Sequence, residues 1–386
     1  MSVHARDKNS KKRIMFLTGT RADYGKLKSL IKILSSNNEF EVYIFATGMH
    51  MLSTYGSTYR EIQKDGFPNL YTFVNQNQHT DMDIALANTI TGLSNYVAEL
   101  EPDGIVVHGD RLEALAGAIV GALRNIRVFH IEGGEVSGTI DESIRHAITK
   151  FSHFHFVANE EAKKRIKQLG EPSDNIYIFG SPDIDIMHSS NLPTIDDVKS
   201  YYEIPFNKYN ILMYHPVTTE YDCIASHIRS IINVLLKSGD NNVVIYPNND
   251  FGCEFIINEY KTLTNHDHFR IFPSMRFEYF LTLLKNSECM IGNSSSGIRE
   301  AGIYGIPAID LGTRQHNRYS PSKSHHIIHT SEDTFSVDTI KEAKALDIIP
   351  SSEFGIGNSN EIFMDILSQP KIWHMDIQKH FIDIDY

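Results

Sequence analysis

Ionisable side chains are concentrated in two short segments, residues 108–111 and 132–135, and in the stretch that follows the second segment. Carboxylates close to cations and imidazoles can take up and deliver protons, because neighbouring like charges spread their pKa values. This density of ionisable groups is higher than that of an ordinary surface. We therefore expect one catalytic crevice formed by the following residues: His108, Asp110, Arg111, His130, Glu132, Glu135, Asp141, Glu142, Arg145 and His146.

Two apolar runs rich in β-branched residues lead into these segments. Residues 105–107 end at His108 and residues 127–131 end at Glu132, and both runs are typical of buried parallel strands. Residues 112–123 carry apolar side chains at helical spacing, which predicts a strand, helix, strand unit. Because ligands bind beyond the carboxyl ends of parallel strands, the ionisable residues lie where a ligand is expected.

A glycine-containing turn at residues 18–25 follows the first predicted strand, 13–17, and precedes a helix that extends to about Leu34. The free amides at the start of a helix and the guanidinium of Arg21 together suit a phosphate. The turn lacks the GxGxxG fingerprint, so a plain strand-to-helix turn with an exposed Arg21 is the alternative.

A second phosphate signal is the segment GNSSSGIREA at residues 292–301. Three hydroxyls at the start of a helix, Ser294, Ser295 and Ser296, offer donors and unpaired amides to a diphosphate. Glu300 lies about one helical turn further along and can accept hydrogen bonds from the two hydroxyls of a ribose. The alternative is a serine-rich helix cap without a ligand.

Alternation of predicted strands and helices divides the chain into two α/β units. We expect a disordered leader at residues 1–12 and a first Rossmann-like domain of about six parallel strands at 13–190. A second Rossmann-like domain should span 191–370, with strands at 211–214, 243–246, 269–272, 289–291 and 306–311. We expect residues 371–386 to cross back to the first domain.

Composition excludes several classes of partner. The 48 acidic and 36 basic residues give a net charge of −12 without long charged runs, which argues against nucleic acid or an anionic membrane. No apolar run approaches the roughly 20 residues of a membrane span, and the polar start lacks the apolar core of a signal peptide. Three scattered cysteines suit a reducing compartment. We therefore expect a cytoplasmic protein.

Histidines are numerous, 19 in all, but their spacing does not indicate a metal site. The nearest groupings are His325 and His326 with His329, and His153 with His155. Neither contains paired cysteines or the HExxH pattern, and alternation along a strand places His153 and His155 on one face without a metal. We predict no metal.

Seven motifs together resemble the hydrolysing UDP-N-acetylglucosamine 2-epimerases of bacterial sialic acid synthesis. They are GTRADYGKL at 19–27, HGDRLEALA at 108–116, HIEGGEVSGTIDESIRH at 130–146, GSPDID at 180–185, YHPVTTE at 214–220, GNSSSGIREA at 292–301 and GTRQ at 312–315. The non-hydrolysing epimerases carry GTRPE and HVEAG where this chain has GTRAD and HIEGG. The resemblance covers nearly the whole chain and implies a glycosyltransferase-B-like fold, in which two Rossmann-like domains bind the nucleotide sugar in the cleft between them.

The resemblance also implies roles for individual residues. The catalytic residues would be the carboxylates Asp110, Glu132 and Asp141, with His215 at the sugar and diphosphate. The substrate, UDP-N-acetylglucosamine, would be bound by Arg21, Ala22, Arg111, Asp185, Asn248, Ser294, Ser295, Ser296, Glu300 and Arg314. Family members often form homodimers and use no cofactor, so we expect the same here.

The family reaction explains why several carboxylates are needed. UDP leaves carbon 1, a carboxylate removes the proton of carbon 2 to give a 2-acetamidoglucal, and water adds across the double bond to release N-acetylmannosamine. Asp110, Glu132 and Asp141 could stabilise the cation and transfer these protons, and the sequence leaves open which of them does which.

Three alternatives stay open from the sequence. The same chemistry could act on a GDP-linked or diacetamido sugar, and a glycosyltransferase or a nucleotide-sugar sensor could use the same fold. Individual residues also have structural alternatives: Asp110 and Glu132 could cap helices, Asp141 could anchor Arg145, and His215 could belong to a turn.

Overall fold

The computed structural model of the 386-residue chain describes residues 11–136, 140–189, 191–316, 318–319, 324–351 and 354–383. Within these ranges the first sheet has seven parallel strands in the order β3-β2-β1-β4-β5-β6-β7. The strands are β1 Lys12–Thr18, β2 Phe40–Ala46, β3 Leu70–Thr72, β4 Gly104–His108, β5 Arg127–Ile131, β6 Phe154–Val157 and β7 Ile176–Ile178.

A second parallel sheet has six strands among the described residues, in the order β10-β9-β8-β11-β12-β13. The strands are β8 Asn210–Met213, β9 Asn242–Ile245, β10 Phe269–Phe272, β11 Cys289–Gly292, β12 Ala308–Leu311 and β13 Ile327–Thr330.

Helices cover both faces of each sheet. Those up to the domain junction are α1 Arg21–Ser35, α2 Tyr59–Lys64, α3 Met82–Leu100, α4 Leu112–Leu123, α5 Ile140–Phe151, α6 Glu160–Gln168 and α7 Pro182–Met187. Those that follow are α8 Ile195–Tyr201, α9 Ile224–Ser238, α10 Cys253–Lys261, α11 Phe277–Lys285, α12 Ser295–Ile298, α13 Glu300–Tyr304, α14 Val337–Lys344, α15 Ser359–Leu367 and α16 Pro370–His374. Short 3₁₀ turns lie at Gly48–Met51, Ser53–Tyr55, Ser173–Asn175 and Thr218–Cys223.

Strand β1 shows why the central strands are apolar on both faces. Ile14 and Phe16 pack into a core with α1 and α15, whereas Met15 and Leu17 pack into a core with α3, α4 and α5. Because successive side chains of a strand point to opposite faces, a strand covered on both sides reads as a continuous apolar run. This run was the signal that predicted the strand from sequence.

Two strands were missed from the sequence, and both lie at a sheet edge. β3 is three residues long and none of its residues is fully buried, and β13 carries only partly buried or exposed side chains. An edge strand packs on few neighbours, so its sequence lacks the buried apolar run that marks a central strand. The first domain therefore has one strand more than the six that we expected.

The chain returns to the first sheet earlier than residue 371, where we placed this crossing. Phe363 of α15 already packs against Phe156 of β6, with ring centroids 4.8 Å apart. Arg127 then donates from Nε to the carbonyl oxygen of Ile372 at 2.9 Å, and Lys379 Nζ donates to the Ser152 carbonyl at 2.8 Å. α15 carries buried apolar residues, so its burial against α1 starts the return.

The expected leader at residues 1–12 lies outside the described residues except for positions 11 and 12, and Lys12 belongs to β1. None of the described helices combines the length and apolar composition that crossing a bilayer requires.

In each sheet the strand order reverses beside the first strand of the domain. β1 lies between β2 and β4, and β8 lies between β9 and β11. Such a reversal opens a crevice at the carboxyl ends of the strands, where open α/β sheets bind ligands. The segments after β1, β4, β8 and β11 are therefore brought to one cleft.

Candidate active site

A cavity of about 290 Å³ lies between the two domains. It is lined by all but one of the site residues that we named from the sequence. These are Arg21, Ala22, Asp110, Arg111, Glu132, Asp141, His215, Asn248, Ser294, Ser295, Ser296, Glu300 and Arg314.

The turn after β1 is held by its own side chains. Thr20 caps α1 by accepting a hydrogen bond from the amide of Asp23, and Asp23 Oδ1 accepts from the Thr20 amide at 3.0 Å. This capping box leaves Arg21 and Ala22 at the cavity. A Cβ atom at Gly19 would lie 2.6 Å from the buried carboxyl carbon of Glu113, so any other residue at this turn would displace the Glu113 side chain of α4.

Asp110 is held as an anion. Its carboxylate is ion-paired with Arg145, which also donates a 3.1 Å hydrogen bond to the Glu132 carbonyl. Burial alone would raise the pKa of Asp110, but the nearby cations, Arg145 first among them, lower it below its usual value.

Asp141 lies in the first turn of α5, and its pKa is displaced in the opposite direction to that of Asp110. Burial, followed by the neighbouring carboxylates Asp110 and Asp250, raises its pKa to about 6. Arg314 of the second domain, whose Nη2 lies 3.3 Å from Asp141 Oδ2, only partly offsets these effects. Two carboxylates of one cavity thus have pKa values displaced in opposite directions, which is the arrangement that acid and base chemistry requires.

Glu132 follows β5 in a left-handed backbone conformation, with φ of 62°, which is uncommon for a residue other than glycine. Its Oε1 accepts hydrogen bonds from Ser181 Oγ at 2.6 Å and Arg299 Nη2 at 2.7 Å. Its Oε2 lies 3.2 Å from His108 Nε2. Burial would raise the pKa of Glu132, but Arg299 and other positive neighbours hold it well below its usual value.

His215 is oriented by two backbone contacts. Its Nδ1 accepts a hydrogen bond from the amide of Asn248 at 3.0 Å, and its own amide donates to Asn293 Oδ1 at 2.7 Å. Burial, with Arg314 and Arg111 nearby, lowers its pKa well below the usual value. The neutral ring therefore carries its proton on Nε2 and can donate a hydrogen bond from there.

Cations from both domains reach across the cleft. Arg111 Nη2 donates to Asn249 Oδ1 at 2.7 Å, and its Nη1 lies 3.4 Å from Asp250 Oδ1. From the other side, Arg314 contacts Asp141. An anionic ligand in this cavity is thus met by guanidinium groups of both halves.

The serine segment forms the short helix α12. Ser294 caps it and accepts a hydrogen bond from the amide of Ser296 at 3.3 Å. The segment begins at Gly292, where φ is 134° and a Cβ would lie 2.0 Å from the Met213 carbonyl oxygen, so only glycine fits. Glu300 is fully buried and lines the cavity, and its Oε1 lies 3.2 Å from Lys26 Nζ of the first domain.

Asp185 is the exception among the site residues, and we correct its assignment. Its carboxylate accepts hydrogen bonds from the amides of Ser359 at 2.8 Å and Asn360 at 3.0 Å, and from Ser29 Oγ at 3.1 Å. The side chain thus anchors the start of α15 and does not line the cavity. Four members of the expected crevice also lie away from the cavity lining: His130, Glu135, Glu142 and His146.

The histidine groupings have structural partners. His155 Nε2 lies 3.2 Å from a carboxylate oxygen of Glu171, and His326 contacts the carbonyl oxygens of Gly297 and Ile298. One other group of the described residues, Glu220, His227 and Glu332, has potential ligand atoms within 4.8 Å of one another. The absence of a resident metal stays a prediction.

A family model described as UDP-N-acetylglucosamine 2-epimerase matches residues 32–368. The chain belongs to the UDP-N-acetylglucosamine 2-epimerase family. A relative from Neisseria meningitidis serogroup B named UDP-N-acetylglucosamine 2-epimerase is 48% identical over 379 residues, which cover 97% of this chain and 100% of that protein. The UDP-N,N'-diacetylbacillosamine 2-epimerase (hydrolyzing) of Legionella pneumophila is 36% identical over 311 residues, which cover 80% of this chain and 82% of that protein.

Solved structures of the epimerase family share the fold. The crystal structure of Methanocaldococcus jannaschii UDP-GlcNAc 2-epimerase in complex with UDP-GlcNAc and UDP aligns with a TM-score of 0.77 at 21% identity. The alignment covers 92% of this chain and 99% of that chain. The predicted glycosyltransferase-B-like arrangement of two Rossmann-like domains is confirmed.

In this member of the epimerase family, sequence reasoning missed several charged residues of the site. Lys26, Arg299 and Arg318 line the cavity. Asp183 is buried beside Lys26, and Asp250 is buried beside Arg111. Three of these five, Lys26, Asp183 and Arg299, lie inside motifs that we quoted, GTRADYGKL, GSPDID and GNSSSGIREA. The motifs therefore contained three of the missed residues, but they did not show which charges face each other.

Proposed function

We propose that the protein is a hydrolysing 2-epimerase that converts UDP-N-acetylglucosamine and water to UDP and N-acetylmannosamine, and so supplies sialic acid synthesis. The observation that carries this proposal is a pair of carboxylates in the cavity whose pKa values are displaced in opposite directions. The pKa of Asp110 is lowered, and the pKa of Asp141 is raised to about 6. A group with a pKa near neutrality can accept a proton at one stage and release it at another.

The first half of the proposed reaction breaks the bond between carbon 1 and the diphosphate oxygen. The electron pair leaves with UDP, whose charge is met by Arg111 and Arg314, and His215 Nε2 donates a hydrogen bond to the departing group. Asp110, which stays ionised, stabilises the developing positive charge at carbon 1. Asp141 then takes the proton from carbon 2, and the electron pair of the broken carbon–hydrogen bond forms the double bond of 2-acetamidoglucal.

The second half adds water across that double bond. The water oxygen bonds to carbon 1 as water gives up one of its protons to a carboxylate of the cavity. A different acid of the cavity then delivers a proton to carbon 2, on the face opposite to the one from which Asp141 took the first proton. The configuration of carbon 2 is thereby inverted, and the free sugar is N-acetylmannosamine. The word "hydrolyzing" in the name of the Legionella relative, and the HIEGG motif at 130–134, support the hydrolytic outcome.

The experiment that tests the function is incubation with UDP-N-acetylglucosamine in the absence of any acceptor. We expect equimolar UDP and free N-acetylmannosamine, identified by nuclear magnetic resonance. UDP-N-acetylmannosamine as the product would show a non-hydrolysing epimerase, and a requirement for an acceptor would show a glycosyltransferase.

A second candidate substrate is a UDP-linked diacetamido sugar, because the Legionella relative is named for UDP-N,N'-diacetylbacillosamine. A side-by-side comparison of kcat/KM for the two nucleotide sugars, with a GDP-linked sugar as a third, identifies the substrate. The 48% identity to the Neisseria epimerase, against 36% to the Legionella enzyme, favours UDP-N-acetylglucosamine.

Glu300→Ala should weaken UDP binding by roughly 1.5–3 kcal/mol, the value of a lost pair of charge-assisted hydrogen bonds to a ribose. Calorimetry with UDP measures the effect, and Glu300→Gln provides a variant of unchanged size. Glu254→Ala removes an exposed carboxylate of the same domain and should leave UDP affinity unchanged. If UDP bound equally well to Glu300→Ala, the ribose would have to lie elsewhere.

A further inference from the structure

Five charged residues meet between the two domains beneath the cavity, and we call them the interdomain charge cluster. The first domain contributes Lys26 from α1, Glu132 after β5 and Asp183 from α7, and the second contributes Arg299 and Glu300 at the junction of α12 and α13. All five are buried, and Lys26, the most exposed of them, is 9% exposed. Charges buried this deeply must be paired, because burial of an isolated ion is strongly unfavourable.

The pairs of this cluster cross the cleft in both directions. Arg299 of the second domain lies 2.7 Å from Glu132 Oε1 of the first domain. Lys26 of the first domain lies 3.2 Å from Glu300 Oε1 of the second domain. Each domain therefore holds one carboxylate of the other, and these two carboxylates are the proposed catalytic and ribose-binding groups.

Asp183 is where the two pairs meet. Its Oδ2 lies 3.2 Å from Lys26 Nζ, and its Oδ1 lies 3.7 Å from Arg299 Nη2. The side chain is fully buried and does not line the cavity, so it does not face a ligand there. Burial by itself would raise the pKa of Asp183, but Lys26 and Arg299 lower it, which keeps the central charge in place.

Neutralising Asp183 would change both pairs. Among the described residues Lys26 would keep Glu300 as its ion-pair contact within 4 Å, with Glu132 acting from further away. Lys26 and Glu300 would then pair more closely, and the carboxylate would be less available to a ribose. Arg299 Nη2 would keep its contacts with Glu132 and Ser181 and lose the second carboxylate that attracts it. A guanidinium no longer attracted by Asp183 would shift, and Glu132, which accepts a hydrogen bond from Nη2, would be oriented differently.

We propose that Asp183 is a positioning residue for the reaction, which holds Arg299 on the catalytic carboxylate Glu132 and shares Lys26 with the ribose-binding carboxylate Glu300. Asp183 thereby fixes the orientation of two carboxylates at once, the ribose-binding Glu300 of the second domain and the catalytic Glu132 of the first domain. This inference rests on the proposed function. The functional aspartate of the GSPDID motif is then Asp183, whereas the sequence suggested Asp185.

Asp185 provides a matched control on the same helix. It is also an acidic residue of α7, but its oxygens accept hydrogen bonds from Ser29 and from the backbone at the start of α15. Asp185→Asn should therefore lower the thermal unfolding temperature without changing kcat, KM or UDP affinity per folded site. Asp183→Asn, in contrast, should change kcat and UDP affinity per folded site.

The experiment compares Asp183→Asn and Asp185→Asn with the wild-type protein. For Asp183→Asn we expect kcat to fall by about tenfold or more and UDP to bind about threefold or more weakly, with one UDP still bound per folded chain. A kcat within about twofold of wild type, or equal effects of the two variants per folded site, would overturn the proposal.

A second variant tests whether Asp183 acts through Arg299. Arg299→Lys keeps the charge, but its shorter side chain does not place a donor where Arg299 Nη2 contacts both carboxylates, so we expect a similar loss of kcat. Since both residues act through one contact, the double variant should be little worse than the more severe single variant. A double variant whose loss of kcat equalled the product of the two single losses would contradict the proposal. If Asp183→Asn did not fold, a normal kcat for Arg299→Lys would contradict it.

The wild-type product tests the proposed function separately. A wild-type protein that released a different product would reject that function. The ratios of the variants to wild type on whichever nucleotide sugar is turned over, together with their UDP affinities, would still decide the role of Asp183.

Discussion

Replacing Asp141 with asparagine should lower turnover by about 10²-fold or more while UDP still binds. The amide keeps the size of the side chain but cannot take the proton of carbon 2. Asp110→Asn and Glu132→Gln should cause losses of the same order, because each removes a negative charge beside the developing cation. Steady-state turnover and UDP calorimetry on the same preparations separate a chemical defect from a binding defect.

The pH dependence distinguishes Asp141 from the other two carboxylates. As a base it must be ionised, and its pKa is raised to about 6, so kcat/KM should rise with pH through about 6 and then level off. Asp110 and Glu132 have lowered pKa values and stay ionised across this window. The rise near pH 6 should therefore disappear from the residual activity of Asp141→Asn and persist in Glu132→Gln. In Asp110→Asn the rise should move to lower pH, because the Asp110 charge helps to raise the pKa of Asp141.

Glu142→Gln is the matched control for this set. Glu142 is the next residue of α5, in the same first turn, and does not line the cavity. Its amide variant should keep both the turnover and the pH profile of the wild type. Normal turnover in all three cavity variants would remove the chemistry from these carboxylates, and a profile that falls through pH 6 would make Asp141 an acid rather than a base.

A reaction run in heavy water should place deuterium on carbon 2 of nearly every product molecule. Elimination gives the original hydrogen of carbon 2 to a carboxyl group, and hydration then supplies a proton that has exchanged with solvent. In ¹⁸O-labelled water the label should appear at carbon 1 of the sugar and not on the phosphate, because the bond from carbon 1 to oxygen is the one that breaks. Mass spectrometry of both products measures the two labels together.

Exchange after the reaction must be excluded by a control. N-acetylmannosamine incubated with the protein in heavy water without UDP should keep its carbon 2 hydrogen over the same period. Product that retained the substrate hydrogen at carbon 2, or label found on the phosphate, would be incompatible with elimination through a glucal.

The sequence alone was sufficient for the architecture, and it named residues that the structure brings together at one cavity. Continuous apolar runs such as 14–17 and 105–107 are required wherever a strand is covered on both faces, so they can be recognised without a structure. Polar residues directly after such runs have to lie at the carboxyl edge of a parallel sheet. Thirteen of the fourteen site residues named from these patterns and from the resemblance line one cavity.

Only the tertiary structure decided which charges face each other. Arg299 and Glu132 are 167 positions apart, and Arg314 and Asp141 are 173 apart, so their pairing depends on how two separately folded domains dock. The protonation of Asp141 depends on burial and on Asp250 of the other domain, neither of which leaves a local pattern. The difference between Asp183 and Asp185 also depends on tertiary packing, because the two residues are only two positions apart on one short helix. The packing of α7 gives Asp183 two cations, Lys26 and Arg299. It gives Asp185 two backbone amides at the start of α15.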